Sequence, residues 1–182
     1  MEKITIVTGL PRSGTSLMMQ ILDRTSLPIL TDGIRKKDTN NPEGYYELEA
    51  VKGIIKDNSF LNEAQGKVVK IIAPLPLFLD KNLTYRILFM RRDITEILRS
   101  QEKMIGKNQT SEYEKFASIY EQHLKKTYAF LDDNSIPFID IWYDKLVSNP
   151  DNEIKKIIDF LNITADLKEL SNVVKPELYR TK

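Results

Sequence analysis

Arg12, Thr15 and Ser16 stand inside the stretch 9–16 (GLPRSGTS), whose glycines at 9 and 14 have the spacing of a loop that closes backbone N–H groups around an anion at a helix start. The frame departs from that of a nucleotide triphosphatase at the next position. Thr15 takes the place of the lysine that reaches the β- and γ-phosphates. The cation here is Arg12, which can hold a tetrahedral oxyanion with two parallel N–H bonds while Thr15 and Ser16 add hydroxyl donors. Nothing in this set calls for magnesium. By spacing alone the stretch also fits an ordinary glycine-containing strand-to-helix turn. A second group of cations, Arg91 and Arg92, directly follows the apolar run 85–90 (YRILFM). That is the C-terminal end of an expected strand, the edge at which open α/β sheets bind ligands.

Composition narrows what other chemistry is available. The chain of 182 residues has no cysteine and one histidine, which excludes disulfides, thiolate nucleophiles, cysteine-based zinc sites and a histidine-rich metal site. With 27 basic and 26 acidic side chains the formal charge is +1, so no global field draws nucleic acid or an anionic membrane, and an anion site must be local. No apolar run reaches the roughly 18 residues of a membrane span and no leader pattern opens the chain, so a cytoplasmic location is expected. The length and a 41% hydrophobic content suit a single domain over 1–182.

The elements that must position these groups follow from periodicity. Residues 3–8 (KITIVT), 67–72 (KVVKII), 85–90 and 137–142 (PFIDIW) read as strands. Helices are expected over 17–22, over 47–58 with Leu48, Val51, Ile54 and Ile55 on one face, from Ile94 onward, over 111–133 and over 151–161. In the helix over 111–133, Phe116, Tyr120, Leu124, Phe130 and Leu131 form the expected buried side. Residues 28–44 are polar and rich in turn residues, a length that suits a binding loop, and they are expected to cover the anion site with Tyr45 and Tyr46 as anchors. Strands separated by helices, without hairpin signals, predict a mostly parallel sheet with right-handed crossovers.

The pattern resembles the sulfotransferases, which transfer a sulfuryl group from 3'-phosphoadenosine-5'-phosphosulfate (PAPS). The run Pro11-Arg12-Ser13-Gly14-Thr15-Ser16 is similar to their 5'-phosphosulfate loop. Arg92 and Ser100 have the family's spacing for the pair that holds the 3'-phosphate, and Lys70 followed by Pro74-Leu75-Pro76 resembles the strand-end lysine and proline segment of the cytosolic branch. Residues 143–146 (YDKL), then Asn149-Pro150 and an amphipathic helix, resemble the family's late strand, loop and helix. The resemblance implies a P-loop NTPase-like three-layer α/β fold. It also implies PAPS as donor, adenosine 3',5'-bisphosphate (PAP) as product, no metal, and a hydroxyl or amine acceptor on a small molecule, carbohydrate or peptide.

The resemblance further implies roles. Ser13, Gly14, Thr15, Ser16 and Arg12 would hold the 5' end, Arg92 and Ser100 the 3' end, and Arg12 with Lys70 would stabilise the charge that develops on the leaving phosphate. The cytosolic branch has its histidine base two residues after the lysine, where this chain has Ile72. The one histidine, His123, falls inside a helix, so a carboxylate is to be considered as the base, as in the branches that modify protein tyrosine and glycans. Asp32 lies at about the interval at which the tyrosine-modifying branch places its glutamate, Arg35 resembles that branch's nearby arginine, and Glu43 and Glu47 are rivals. The family's late basic loop has no clear match, which leaves Lys175, Arg180 and Lys182 as the terminal cations that could approach the 3'-phosphate. Two other functions compete. A small-molecule kinase would need a loop lysine and a magnesium-holding acid, for which Asp140 or Asp144 would have to serve. The other is a non-catalytic nucleotide- or partner-binding module on the same scaffold.

Overall fold

A computed structural model of the chain describes residues 2–36, 44–106 and 110–175. The β-branched run near the N-terminus forms β1 (Ile4–Gly9), and every one of its residues is buried, as expected of a central strand in a parallel sheet. It lies between β2 (Val68–Lys70) and β3 (Tyr85–Arg91), and β4 (Phe138–Trp142) pairs with the far side of β3. All three pairings are parallel, with Val7 opposite both Lys70 and Leu88. The order β2-β1-β3-β4 puts the ends of β1, β2 and β3 side by side, and these are the ends that carry the loop, Lys70 and Arg92.

Alternation along the strands divides the core between the two faces of the sheet. Ile4, Ile6, Val69, Ile87 and Phe89 face a cluster closed by Val51, Leu61, Leu79 and Leu131, while Val7, Leu88 and Ile141 face one closed by Met18, Leu146, Ile154 and Leu161. Burial of each such side chain contributes about 1.5–3 kcal/mol. The result is a three-layer α/β fold, as the sequence predicts.

The helices are α1 (Thr15–Leu22), α2 (Ile94–Ile105), α3 (Tyr113–Asp133), α4 (Tyr143–Ser148), α5 (Pro150–Leu161) and α6 (Leu167–Ser171). Asp93 caps α2 by accepting the Glu96 N–H at 3.2 Å. Of the face expected for α3, Tyr120 and Leu131 are buried and Phe116, Leu124 and Phe130 are half-buried, with Thr127 joining the buried side. No described helix is long and apolar enough to cross a membrane.

Two expectations are corrected. The segment 47–58 is not an α-helix but contains a 3₁₀ helix, Glu49–Gly53: Val51 and Ile54 are buried and Leu48 half-buried against the core, but Ile55 is 62% exposed, and Gly53, Asp57 and Asn58 supply no helix propensity. The segment that begins at Pro28 is not simply a loop. Leu30 N–H donates to the Val68 carbonyl and Val68 N–H to the Pro28 carbonyl, both at 2.8 Å, so this segment covers the outer edge of β2.

Candidate functional site

β1 runs out at Gly9 (φ 145), the chain turns through Arg12 (φ 68), and Gly14 (φ 100) opens α1. Packing demands both glycines. A Cβ on Gly9 would lie 2.5 Å from the Met90 carbonyl oxygen and from Ser13 Oγ, and one on Gly14 would lie 2.5 Å from the Tyr143 ring. The loop is therefore wedged between the end of β3 and the start of α4, which fixes its conformation.

Around this loop the fold gathers side chains far apart in sequence. Arg12 Nε donates to Ser100 Oγ at 3.1 Å, and Arg92 Nη1 donates to the Arg12 carbonyl at 3.1 Å. Arg92 Nε also donates to Glu96 at 3.0 Å, and its guanidinium lies 4.5 Å above the Tyr143 ring. Ser100 is buried one face away from solvent on α2, and burial lowers the pKa of Arg12, with Tyr45 acting in the opposite sense. Arg92 thus holds the backbone of Arg12, whose guanidinium in turn meets the buried Ser100. Arg91, the other half of the arginine pair, donates to Tyr128 Oη at 2.7 Å and lies 3.7 Å from Asp140, so period-2 alternation sends it to a different network.

A second cluster forms at the end of β2. Lys70 is 4% exposed, donates from Nζ to Ser16 Oγ at 3.3 Å and to the Tyr45 carbonyl, and lies 3.7 Å from Glu47 Oε1. The same Glu47 oxygen accepts from Arg35 Nη1 at 2.7 Å, and the Arg35 guanidinium rests 3.5 Å from the centre of the Tyr45 ring. Tyr45 and Glu47 thus meet the end of β2 through Lys70.

Burial pulls Lys70 down to a pKa of about 8, against the attraction of Glu47. Between there and 10.5, its unperturbed value, the unfolded chain holds more protons at this position than the folded chain. Stability contributed by Lys70 therefore rises with pH across that window, and the full burial penalty applies below it. In urea unfolding, wild type is expected to gain on Lys70→Met by up to roughly 3 kcal/mol as pH rises from neutral through this window. A difference independent of pH would show that Lys70 is not desolvated as described.

Asp32, the base expected from the sequence interval, is exposed and engaged elsewhere. Its carboxylate accepts the Glu49 N–H at 2.5 Å and the Ile34 N–H at 3.0 Å, bonds that lower its pKa, with Glu49 the larger influence. Glu47 is the carboxylate in contact with Lys70. Glu43, Arg180 and Lys182 lie outside the described residues. Lys175 lines a groove with Gln20 and Arg24. His123 sits on α3 beside Tyr120, ring centres 6.4 Å apart, and burial followed by Lys126 lowers its pKa. Tyr143 and Glu96, both in contact with Arg92, are site residues the sequence reading missed. The placement of Tyr143 just after a strand, where Gly14 needs a neighbour, is the one signal for it.

Comparison with known proteins is consistent with this geometry. The model of the sulfotransferase family matches residues 84–166, a stretch that includes Arg92, Ser100 and Tyr143. The sulfotransferase domain of the Synechococcus olefin synthase shares the fold with a TM-score of 0.57 at 13% identity, over 99% of this chain and 81% of that one. A mouse sulfotransferase complexed with PAP gives 0.56 at 14% identity, over 95% of this chain and 62% of that one. A sugar kinase from Janibacter gives 0.51 at 14% identity, over 96% of this chain and 99% of that one. No curated protein matches. The solved structures show the fold, and with the family model they bear out the resemblance to sulfotransferases read from the residues.

Proposed function

We propose that this chain, with the sulfotransferase pattern over 84–166, transfers a sulfuryl group from PAPS to an acceptor hydroxyl or amine. The observation that carries the reading is the chain of contacts from Arg92 to the Arg12 carbonyl and from the Arg12 guanidinium to Ser100, beside a glycine loop at the start of α1. It provides two separate anion sites, at the helix start and at Ser100, and PAPS carries charge at both its 5' and 3' ends. Ser13 fits as well. Its hydroxyl is buried in the loop and has no partner among the described residues, and a bound oxyanion would supply the missing acceptor.

When bound, PAPS supplies the sulfuryl group, whose bond to the phosphate oxygen breaks as the acceptor oxygen or nitrogen bonds to sulfur, with PAP departing. The amides of 14–16 with the Ser13 and Ser16 hydroxyls hold the 5' end, and Arg92 with Ser100 holds the 3' end. Arg12, reaching from loop to Ser100, spans the two. Lys70 stabilises the charge that develops on the leaving phosphate from a desolvated position, where a fixed cation acts most strongly. Glu47, beside Lys70, takes the acceptor's proton, and Arg35 orients its carboxylate.

A phosphoryl-transferring kinase is the second reading, favoured by the Janibacter likeness. Calorimetric titration separates the two. PAP without metal is expected to bind more tightly than ADP or magnesium-ATP, and Arg92→Ala is expected to weaken PAP by about tenfold or more, the value of a charge-assisted hydrogen bond. Preference for magnesium-ATP would select the kinase, and binding of none of the three would leave a non-catalytic scaffold.

A further inference from the structure

We propose that Glu96 sets how strongly the site holds the 3'-phosphate of its nucleotide, both as a positioning residue that fixes Arg92 and as a negative charge set against the phosphate; this inference rests on the sulfuryl-transfer reading. Arg92 stands between the end of β3 and Asp93, the cap of α2, and its side chain is only 7% exposed. Three contacts fix its guanidinium. Nε donates to Glu96 Oε2 at 3.0 Å, Nη1 donates to the Arg12 carbonyl at 3.1 Å, and the Tyr143 ring covers one face with its centre 4.5 Å away. An edge, an end and a face of one planar group are held together, so the group cannot turn without breaking a bond.

Within this set a carboxylate is the member that an anion site does not call for. The helix dipole favours an acid in the first turn of α2, and Asp93 already accepts the Glu96 N–H. Neither fact brings the Glu96 side chain onto an arginine that meets a phosphate. Its position four residues after Arg92 does so, and at 24% exposure the carboxylate is only partly screened by water. Two effects of opposite sign follow. The bond to Nε orders the arginine before the nucleotide arrives, which removes an ordering cost from binding. The charge repels the phosphate that the same arginine attracts, because like charges brought together in a partly desolvated site oppose association. Substitution separates the two. Glutamine can still accept from Nε but carries no charge, aspartate keeps the charge on a side chain one methylene shorter, and alanine has neither.

The test is calorimetric titration of the full chain and of Glu96→Gln, Glu96→Asp and Glu96→Ala with PAP and with adenosine 5'-phosphate, which lacks the 3'-phosphate. PAP is expected to bind Glu96→Gln about threefold to tenfold more tightly than wild type, and Glu96→Asp more weakly than wild type by a similar factor. Glu96→Ala is expected to bind PAP more weakly than Glu96→Gln, since the two differ in the hold on Arg92 and not in charge. Affinity for adenosine 5'-phosphate is expected to be the same in all four proteins. A merely structural role for Glu96 would weaken both nucleotides together and lower Tm, and it would not tighten one of them. Equal PAP affinity in all four proteins, weaker PAP binding by Glu96→Gln than by wild type, or parallel changes for the two nucleotides would overturn the inference and leave the PAPS reading in place. Failure of wild type to bind PAP would overturn both.

Discussion

Replacing Glu47 with glutamine is expected to lower turnover by about 10²–10⁴, the usual contribution of a positioned general base, while PAP binds with nearly unchanged affinity. The geometry behind this is the 3.7 Å approach of Glu47 to Lys70 together with its 2.7 Å bond from Arg35. One carboxylate oxygen is engaged with cations that hold it in place, and the second, without a hydrogen bond among the described residues, accepts the proton. Asp32 has no such freedom, since its two oxygens each accept a backbone N–H. Asp32→Asn is therefore expected to retain turnover and to lose about 1 kcal/mol of stability, the usual cost of weakening hydrogen bonds to a charged group in a turn. PAP release from PAPS at saturating acceptor, with thermal unfolding as the control for folding, measures both. A decline in Asp32→Asn alongside wild-type turnover in Glu47→Gln would return the base to Asp32. Glu47→Asp separates charge from reach: it retains the attraction to Arg35 and Lys70 but shortens the side chain by one methylene.

That outcome turns on the part of the chain that was least legible in the sequence. The strands were readable because each is a short apolar run with β-branched residues, and the loop because its glycines and Arg12 lie within six positions of one another. Arg92 and Ser100 were readable because they share one strand-to-helix unit and a fixed spacing. Glu47 could be named only as a rival. Its role depends on Lys70, 23 positions on, and on the segment from Pro28 pairing with Val68, and neither relation leaves a periodic trace. The predicted helix over 47–58 failed for a related reason. Leu48, Val51, Ile54 and Ile55 have helical spacing, but Asp32 reaches across to take the Glu49 N–H and the chain closes into a 3₁₀ turn. Tyr143 stayed hidden because its partners, Gly14 and Arg92, come from two other elements.

Arg12 allows backbone and side chain to be tested separately. It is a non-glycine residue at φ 68, a conformation that costs an L-residue about 1 kcal/mol or more and that persists where the surroundings require it. Arg12→Gly removes this strain together with the guanidinium. The variant is expected to be at least as stable as wild type, yet to bind PAP about tenfold or more weakly and to turn over 10²–10³ more slowly, the loss typical of one preorganised donor at a developing charge. The bond from Arg92 is made to the residue 12 carbonyl, so it survives the substitution, and the loss reports the side chain alone. Arg12→Lys keeps the charge without the two-pronged donor and should fall between the two. A stable Arg12→Gly with wild-type affinity and turnover would mean that the strained arginine serves the packing of the loop, and the assignment of an anion to this loop would fall with it.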